Sequence, residues 1–505
     1  MSTYEPWQSV NGTVISPADE PKHPWDGDKY GPERPYIRDY TKILTIKIML
    51  AYQDMQDRTK SEVLLKFDEV LDRIKEIDKL TLGIPKLVYL VGWNGLGHDD
   101  KFPSWDIVNQ NLCDEGENPV EKLRWVMREA VKYNTTVSLH INSNDVYMDS
   151  PLWDYCEQND LITKRDGKLY MYAQWQGKDT YLMNFKKSWE SGFYKKQVDG
   201  LLEMLPELKL AGSIHSDAFL CRWSDQSTYE EEQAARRQMI RYWRDCGMDL
   251  TSEFIYGTTE HKDDEKGDER YGINGNNAKD AGLVGLMPYA WHLAQTEEWW
   301  FRRPQSLLAA GGIPHYINPL AVEEDYERLA FLYGNTMQGE DILAEDCRKT
   351  NKENTPPEWD IRFKNSFYTT TALYVYMNKY KNINTYKNGD ETVLNKEDGL
   401  TIVYAPDGDR RRVTHNGRLI RRDNDVFVPV CWIEKFPAVA AFSETGYKNM
   451  KWTLSDEWEK IDIADIYDIS KNGLEFMTSV KISDGLELSL DPNQAVLIVP
   501  AGNKI

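Results

Sequence analysis

The chain has 505 residues, 41 % of them hydrophobic and 28 % charged, enough to bury a large core and too many for one small domain. Its net charge of −21 argues against a nucleic-acid or anionic-membrane partner and suits a neutral substrate. No stretch reaches the ~18 apolar residues of a membrane span, and the six cysteines have no metal-ligand spacing, so reduced thiols are expected.

Residues 1–35 are rich in Pro, Gly and Asp and read as an irregular arm. They hold no basic run with an apolar core behind it, so no secretory signal is read. The expected compartment is the cytoplasm, with a trimmed secreted form as the alternative. Ile43 to Tyr52 has strand character. Thr59 and Glu62 have capping-box spacing, and apolar residues from Val63 to Ile77 recur at helical spacing. Pro85 to Val91 is a nearly continuous apolar strand, followed by a helix at 119–133, a strand over Thr136 to Asn142 and a helix at 186–205. A short strand then ends on Asp217, a helix runs from Ser227 to Cys246, and the next strand carries Glu253. Further strands are expected at 283–289 and 312–317, and helices at 296–310, 322–337 and 364–380.

Apolar strands alternating with helices imply right-handed βα units on a parallel sheet. The expected fold is α/β, a (β/α)8 TIM-like barrel over 36–385. Its eighth strand is not legible; it lies in 340–362, or the barrel is distorted there. The loop 258–280 is long, polar and rich in Gly and Asn, and reads as a substrate lid. Past about residue 385 the period changes to two, with Pro-Asp-Gly and His-Asn-Gly turns, giving a C-terminal antiparallel β-sandwich over 386–505.

Adjacent strand ends of a barrel face one pocket, and two carboxylates there are the equipment of a glycosidase. Asp217 suits a fixed nucleophile and Glu253 a longer-armed proton donor, whose pKa a charged Asp217 would raise. Either acid alone could instead cap a helix or pair with an arginine such as Arg222, a reading that two acids on consecutive strands weaken. Asp145, Glu260 and Glu297 are reserve candidates for the acid. The stretch Gly92-Trp93-Asn94-Gly95-Leu96-Gly97-His98-Asp99-Asp100 follows a strong strand. His98 and Asp99 offer sugar hydroxyls a donor and an acceptor, and Trp93 offers a stacking plate. A metal site of His98, Asp99 and Asp100 is the alternative. His140 and Asn142 end another strand and line the pocket or bond to backbone, while Tyr289 and Trp291 add aromatic surface beyond the sixth strand. The 17 Trp and 29 Tyr fit sugar stacking as well as core filling.

The GWNGLGHDDKFPSWD stretch, the strand ending His140-Ile141-Asn142, the strand ending in Asp217 and the later Ser252-Glu253 together resemble glycoside hydrolase family 101, the endo-α-N-acetylgalactosaminidases. They also resemble the related family 129, the α-N-acetylgalactosaminidases. The resemblance covers about 40–385. It implies a retaining enzyme that cleaves α-linked GalNAc, or Galβ1-3GalNAc, from Ser or Thr of mucin-type O-glycans. Asp217 would be the nucleophile, Glu253 the acid/base, and His98, Asp99, His140 and Asn142 sugar-binding positions. No cofactor is expected; metal content and oligomeric state stay open. The rivals are another barrel α-glycosidase, such as an α-galactosidase, and a catalytically inactive glycan-binding protein.

Overall fold

A six-stranded parallel sheet organises the first part of the chain. Its strands are β1 (Leu44–Met49), β2 (Lys86–Val91), β3 (Thr135–Asn142), β4 (Ser213–Asp217), β5 (Asp249–Ser252) and β6 (Met337–Gln338). In this computed structural model the described residues are 36–175, 177–217, 219–252, 328, 330–334, 337–338, 359–482 and 485–503. β1 and β2 are buried along their whole length, as expected of strands covered on both faces. Strands β1 to β5 lie side by side in chain order, and β6 adds to the other edge of β1.

Helices α1 (Phe67–Leu80), α2 (Pro119–Ala130), α3 (Phe193–Met204) and α4 (Tyr229–Asp245) connect the first five strands. Their starts follow capping chemistry. Asn118 Oδ1 accepts the Val120 and Glu121 N–H groups ahead of α2, and Thr228 and Glu231 form a reciprocal capping box on α4. The box expected at Thr59 and Glu62 is absent. Thr59 belongs to a turn closed by Asp57, Ser61–Val63 pairs antiparallel with Ala51–Gln53, and α1 starts later, where Glu69 accepts the Lys66 N–H. The single helix expected at 186–205 is two, Phe185–Glu190 and α3, split at Gly192 with φ +76°.

The helix expected to run to 337 ends by Gly334, and the backbone is extended again at β6. Gly334 has φ +72°, and a Cβ there would lie 2.7 Å from the Tyr374 Cα, so only glycine permits this approach. A parallel strand pairing with β1 thus sits just before the 340–362 window. The expected strands at 283–289 and 312–317, the helix at 296–310, the lid at 258–280 and the arm at 1–35 lie outside the described residues.

The chain from Trp359 to Met377 is helical, with a π-helical turn at Phe367–Thr371. It joins the sheet region to a ten-stranded antiparallel sheet that starts at Asn382. Tyr368 illustrates the junction: its hydroxyl donates to the Leu80 carbonyl at 2.8 Å, and its ring stacks on Phe442 at 5.7 Å. Alternation along the strands sends Val426, Val428, Ala440, Phe442 and Leu497 into the main core. It sends Phe427, Val439, Ala441, Val496 and Ile498 into a second core with Trp452 and Leu488. The expected sandwich is therefore one large antiparallel sheet whose second face is closed by a two-stranded ribbon, Tyr447–Trp452 with Leu486–Leu490. Among the described residues, no helix is long and apolar enough to cross a membrane.

Candidate active site

Polar residues recur at every second position of the central strands and share one face of the sheet: Ser138, His140 and Asn142 on β3, Ser213, His215 and Asp217 on β4, and Asp249 and Thr251 on β5. Such groups are costly to bury unless paired, and they pair across strands. The Tyr89 and Tyr40 hydroxyls meet Ser213 Oγ at 2.5 and 2.9 Å, Thr251 Oγ1 donates to the Tyr89 hydroxyl at 3.2 Å, and His215 Nδ1 meets Thr251 Oγ1 at 2.8 Å. Above this network runs a column of rings. Tyr89 and His215, His215 and His140, and His140 and His98 are spaced 5.2, 5.3 and 5.4 Å between centroids.

The register places Asp217 opposite Asn142 and His215 opposite His140. Asp217 is the last residue of β4, with 16 % of its side chain exposed, and its Oδ2 lies 3.6 Å from His140 Nε2 and 3.5 Å from Asn142 Nδ2. The loop after β2 brings His98 and Asp99 to the same place. Gly97 allows this, since its φ is +142° and a Cβ would meet the Tyr52 backbone at 2.5 Å. His98 N–H donates to the Ala51 carbonyl at 2.8 Å, and its Nε2 lies 3.3 Å from Asp99 Oδ2.

His98, Asp99, His140, Asn142 and Asp217 are therefore brought together. Trp93 is placed differently: it is wholly buried and donates its indole N–H to the His140 carbonyl at 2.8 Å, so it props the β3 strand end and offers no open plate. Asp100 is also turned away, buried against the Lys178 ammonium and the Leu96 N–H. The expected cation trio changes accordingly: His98, Asp99 and Asp217 each bring a ligand atom, all within 4.8 Å of one another. Glu253, Tyr289, Trp291, Glu260 and Glu297 lie outside the described residues; β5 ends at Ser252, paired with Ser216, one residue short of each acid.

Asp145, just past β3, is fully enclosed. Burial, reinforced by the charge of Asp99, pushes its carboxyl up to about 7. The Tyr172 and Tyr147 hydroxyls and the Asn142 amide donate to it at 2.9, 3.3 and 2.9 Å. Sequence reasoning missed Tyr89, His215, Tyr147 and Tyr172. The signal for the first two was present, as polar residues at period two inside otherwise apolar strands.

This clustering at the carboxyl ends of parallel strands is where enzymes of such folds bind and react. The family model described as endo-alpha-N-acetylgalactosaminidase, glycoside hydrolase family 101, matches residues 53–310, just over half of the chain. No curated protein matches. Among solved structures, the alpha-N-acetylgalactosaminidase NagBb from Bifidobacterium bifidum in complex with GalNAc is similar at 12 % identity and TM-score 0.51, over 80 % of this chain and 61 % of that one. The same protein with Gal-NHAc-DNJ gives 13 % and 0.51, over 76 % and 59 %. At this identity the likeness is one of fold, and the chain spans about three fifths of the length of those structures. With the family match covering more than half of its residues, the chain belongs to the endo-alpha-N-acetylgalactosaminidase family of glycoside hydrolases.

Proposed function

We propose that this protein is a retaining glycoside hydrolase that releases α-linked GalNAc, or Galβ1-3GalNAc, from Ser or Thr of mucin-type O-glycans or glycopeptides. The observation that carries this reading is the placement of Asp217 at a parallel strand end, with His140, Asn142, His98 and Asp99 gathered around it. Asp217 attacks the anomeric carbon as the C1–O bond breaks, giving a β-linked glycosyl ester. Glu253, the residue after Ser252, protonates the departing serine or threonine oxygen and then takes a proton from the water that hydrolyses the ester. His98, Asp99 and His140 bind the sugar's polar groups, Asn142 steadies Asp217 between them, and Tyr289 and Trp291 supply stacking surface.

The strand order supports a (β/α)8 barrel over 36–385, because a late strand returns to the free edge of β1, as barrel closure demands. The antiparallel region from 386 onward is proposed as a separate domain.

Purified protein given nitrophenyl α-GalNAc, nitrophenyl α-Galβ1-3GalNAc and nitrophenyl α-galactoside decides the substrate. Release from one of the first two supports the reading and sets exo or endo mode. Release from the galactoside alone would replace it with an α-galactosidase, and silence on all three with a glycan-binding protein. Turnover is also expected to survive EDTA, since a nucleophile needs its carboxylate unligated. Activity lost to EDTA and restored by one divalent metal would instead give His98, Asp99 and Asp217 to a cation.

A further inference from the structure

Asn142 is held in one orientation. Its side-chain oxygen accepts the backbone N–H groups of Asn144 and Asp145, both at 2.8 Å. The amide nitrogen must therefore face the other way, where it meets Asp145 Oδ2 at 2.9 Å and Asp217 Oδ2 at 3.5 Å. One NH2 group thus bridges two carboxyls. Asp145 is 2 % exposed, and its oxygens also face the Tyr172 hydroxyl at 2.9 Å, the Tyr147 hydroxyl at 3.3 Å and the Asn144 amide at 3.4 Å. Every one of these groups donates, and four donors fit an ionised carboxylate, which only accepts. A protonated Asp145 is accommodated only if a tyrosine hydroxyl turns to accept its O–H and so ceases to donate to it.

We propose that Asp145 is a positioning residue for the hydrolytic reaction: as a carboxylate it anchors the Asn142 amide, which in turn holds the Oδ2 of Asp217 in the orientation for attack. The inference rests on the reading of Asp217 as nucleophile. Asp145 lies behind Asn142 and touches no substrate; the reserve role of proton donor is thereby withdrawn from it. Holding one oxygen of the nucleophile fixes the direction of its carboxylate, and misplacement by about 1 Å costs up to about 10²-fold in rate.

The charged and titratable groups around Asp145 come from every neighbouring element. Asp99 arrives from the loop after β2 and opposes its ionisation. Asp217 of β4 shares its amide, with His140 3.6 Å beyond. Tyr147 carries the Lys178 ammonium 5.2 Å over its ring, and Tyr172 has the Arg222 guanidinium at the same distance. Burial and Asp99 together bring the carboxyl to about 7, so its charge changes within the working range of an enzyme.

The test compares wild type, Asp145→Asn and Tyr172→Phe for kcat and KM on nitrophenyl α-GalNAc, or on whichever glycoside the wild type turns over, from pH 5 to 9. Wild-type kcat should rise with pH along a limb near pH 7. Asp145→Asn, which keeps the shape and loses the charge, should lower kcat by about 10- to 100-fold with KM within about threefold, and erase that limb. Tyr172→Phe removes a donor that favours the carboxylate, so the limb should move to higher pH. This second variant keeps the test decisive if the first folds poorly. An Asn variant with the wild-type limb and kcat, or a Phe variant whose limb stays in place, overturns the proposal while leaving the hydrolase reading intact. A wild type silent on every glycoside overturns both.

Discussion

Asp217→Asn is expected to remove turnover, by on the order of 10³-fold or more, while leaving the protein as stable as the parent or slightly more so. The amide keeps the size of the carboxyl, and its oxygen still accepts from Asn142, but it cannot form the glycosyl ester. Stability should not suffer, because Asp217 and Asp99 bring carboxylate oxygens within 4.8 Å of each other, a like-charge pair that costs stability and is relieved by the amide. Initial rates and melting curves of the two proteins check both halves. A variant within tenfold of wild type would remove Asp217 from the reaction; one that melts well below the parent would make the loss structural. A smaller side chain separates the two proposed acids further. With an activated leaving group, azide should enter the space left by Asp217→Ala and give a β-glycosyl azide. With Glu253→Ala it should capture the ester from the other face and give the α-azide. The product anomers thus assign each acid independently.

The parts of the fold legible in the sequence are those in which one residue's chemistry suffices. β2 reads as a nearly continuous apolar run because both its faces are covered, and the helix expected from Ser227 to Cys246 is α4, whose start Thr228 and Glu231 cap. What was not legible depends on partners distant in sequence. Thr59 and Glu62 have the spacing of a cap, but Asp57 competes for Thr59 through its own turn, and pairing with Ala51–Gln53 draws Ser61–Val63 into a strand. β6 spans two residues, too few for any period to show, and is fixed by hydrogen bonding to β1.

The site divides in the same way. Asp217, His140 and Asn142 were legible because each stands near the end of a strand, where side chains meet one pocket. That Trp93 would be buried was not, since a tryptophan after a glycine serves equally as a plate or a prop until the His140 carbonyl is found above its N–H. Asp145 and Tyr172 are 27 residues apart and meet only because strand Asp145–Tyr147 and strand Met171–Trp175 both pair with Lys178–Leu182.

Lys396→Met is expected to stabilise the protein at neutral pH, by on the order of a few kcal/mol. Lys396 ends the strand Glu391–Lys396, is 2 % exposed, and donates to the Tyr380 carbonyl at 3.2 Å. Burial pushes its ammonium down from the ordinary 10.5 to about 7. In the unfolded chain the amine stays protonated up to about 10.5, so between about 7 and 10.5 the unfolded state binds more protons, and stability rises with pH through that window. Below about 7 both states are charged and the destabilisation is full. Methionine fills a similar volume with no charge to desolvate. It leaves the Tyr380 carbonyl without its donor, a loss of about 1 kcal/mol that the gain exceeds. The buried acids Asp145 and Glu232, both raised to about 7, act in the opposite sense over a lower window: folded they hold protons that the unfolded chain has released above about 4.5, so their contribution falls as pH rises toward 7. Both proteins share that fall, and the comparison cancels it. Urea midpoints of wild type and variant should differ most at or below pH 7 and converge toward pH 10. Parallel curves across that range would mean that Lys396 keeps its ordinary titration in the fold, with water or a counter-ion reaching its ammonium.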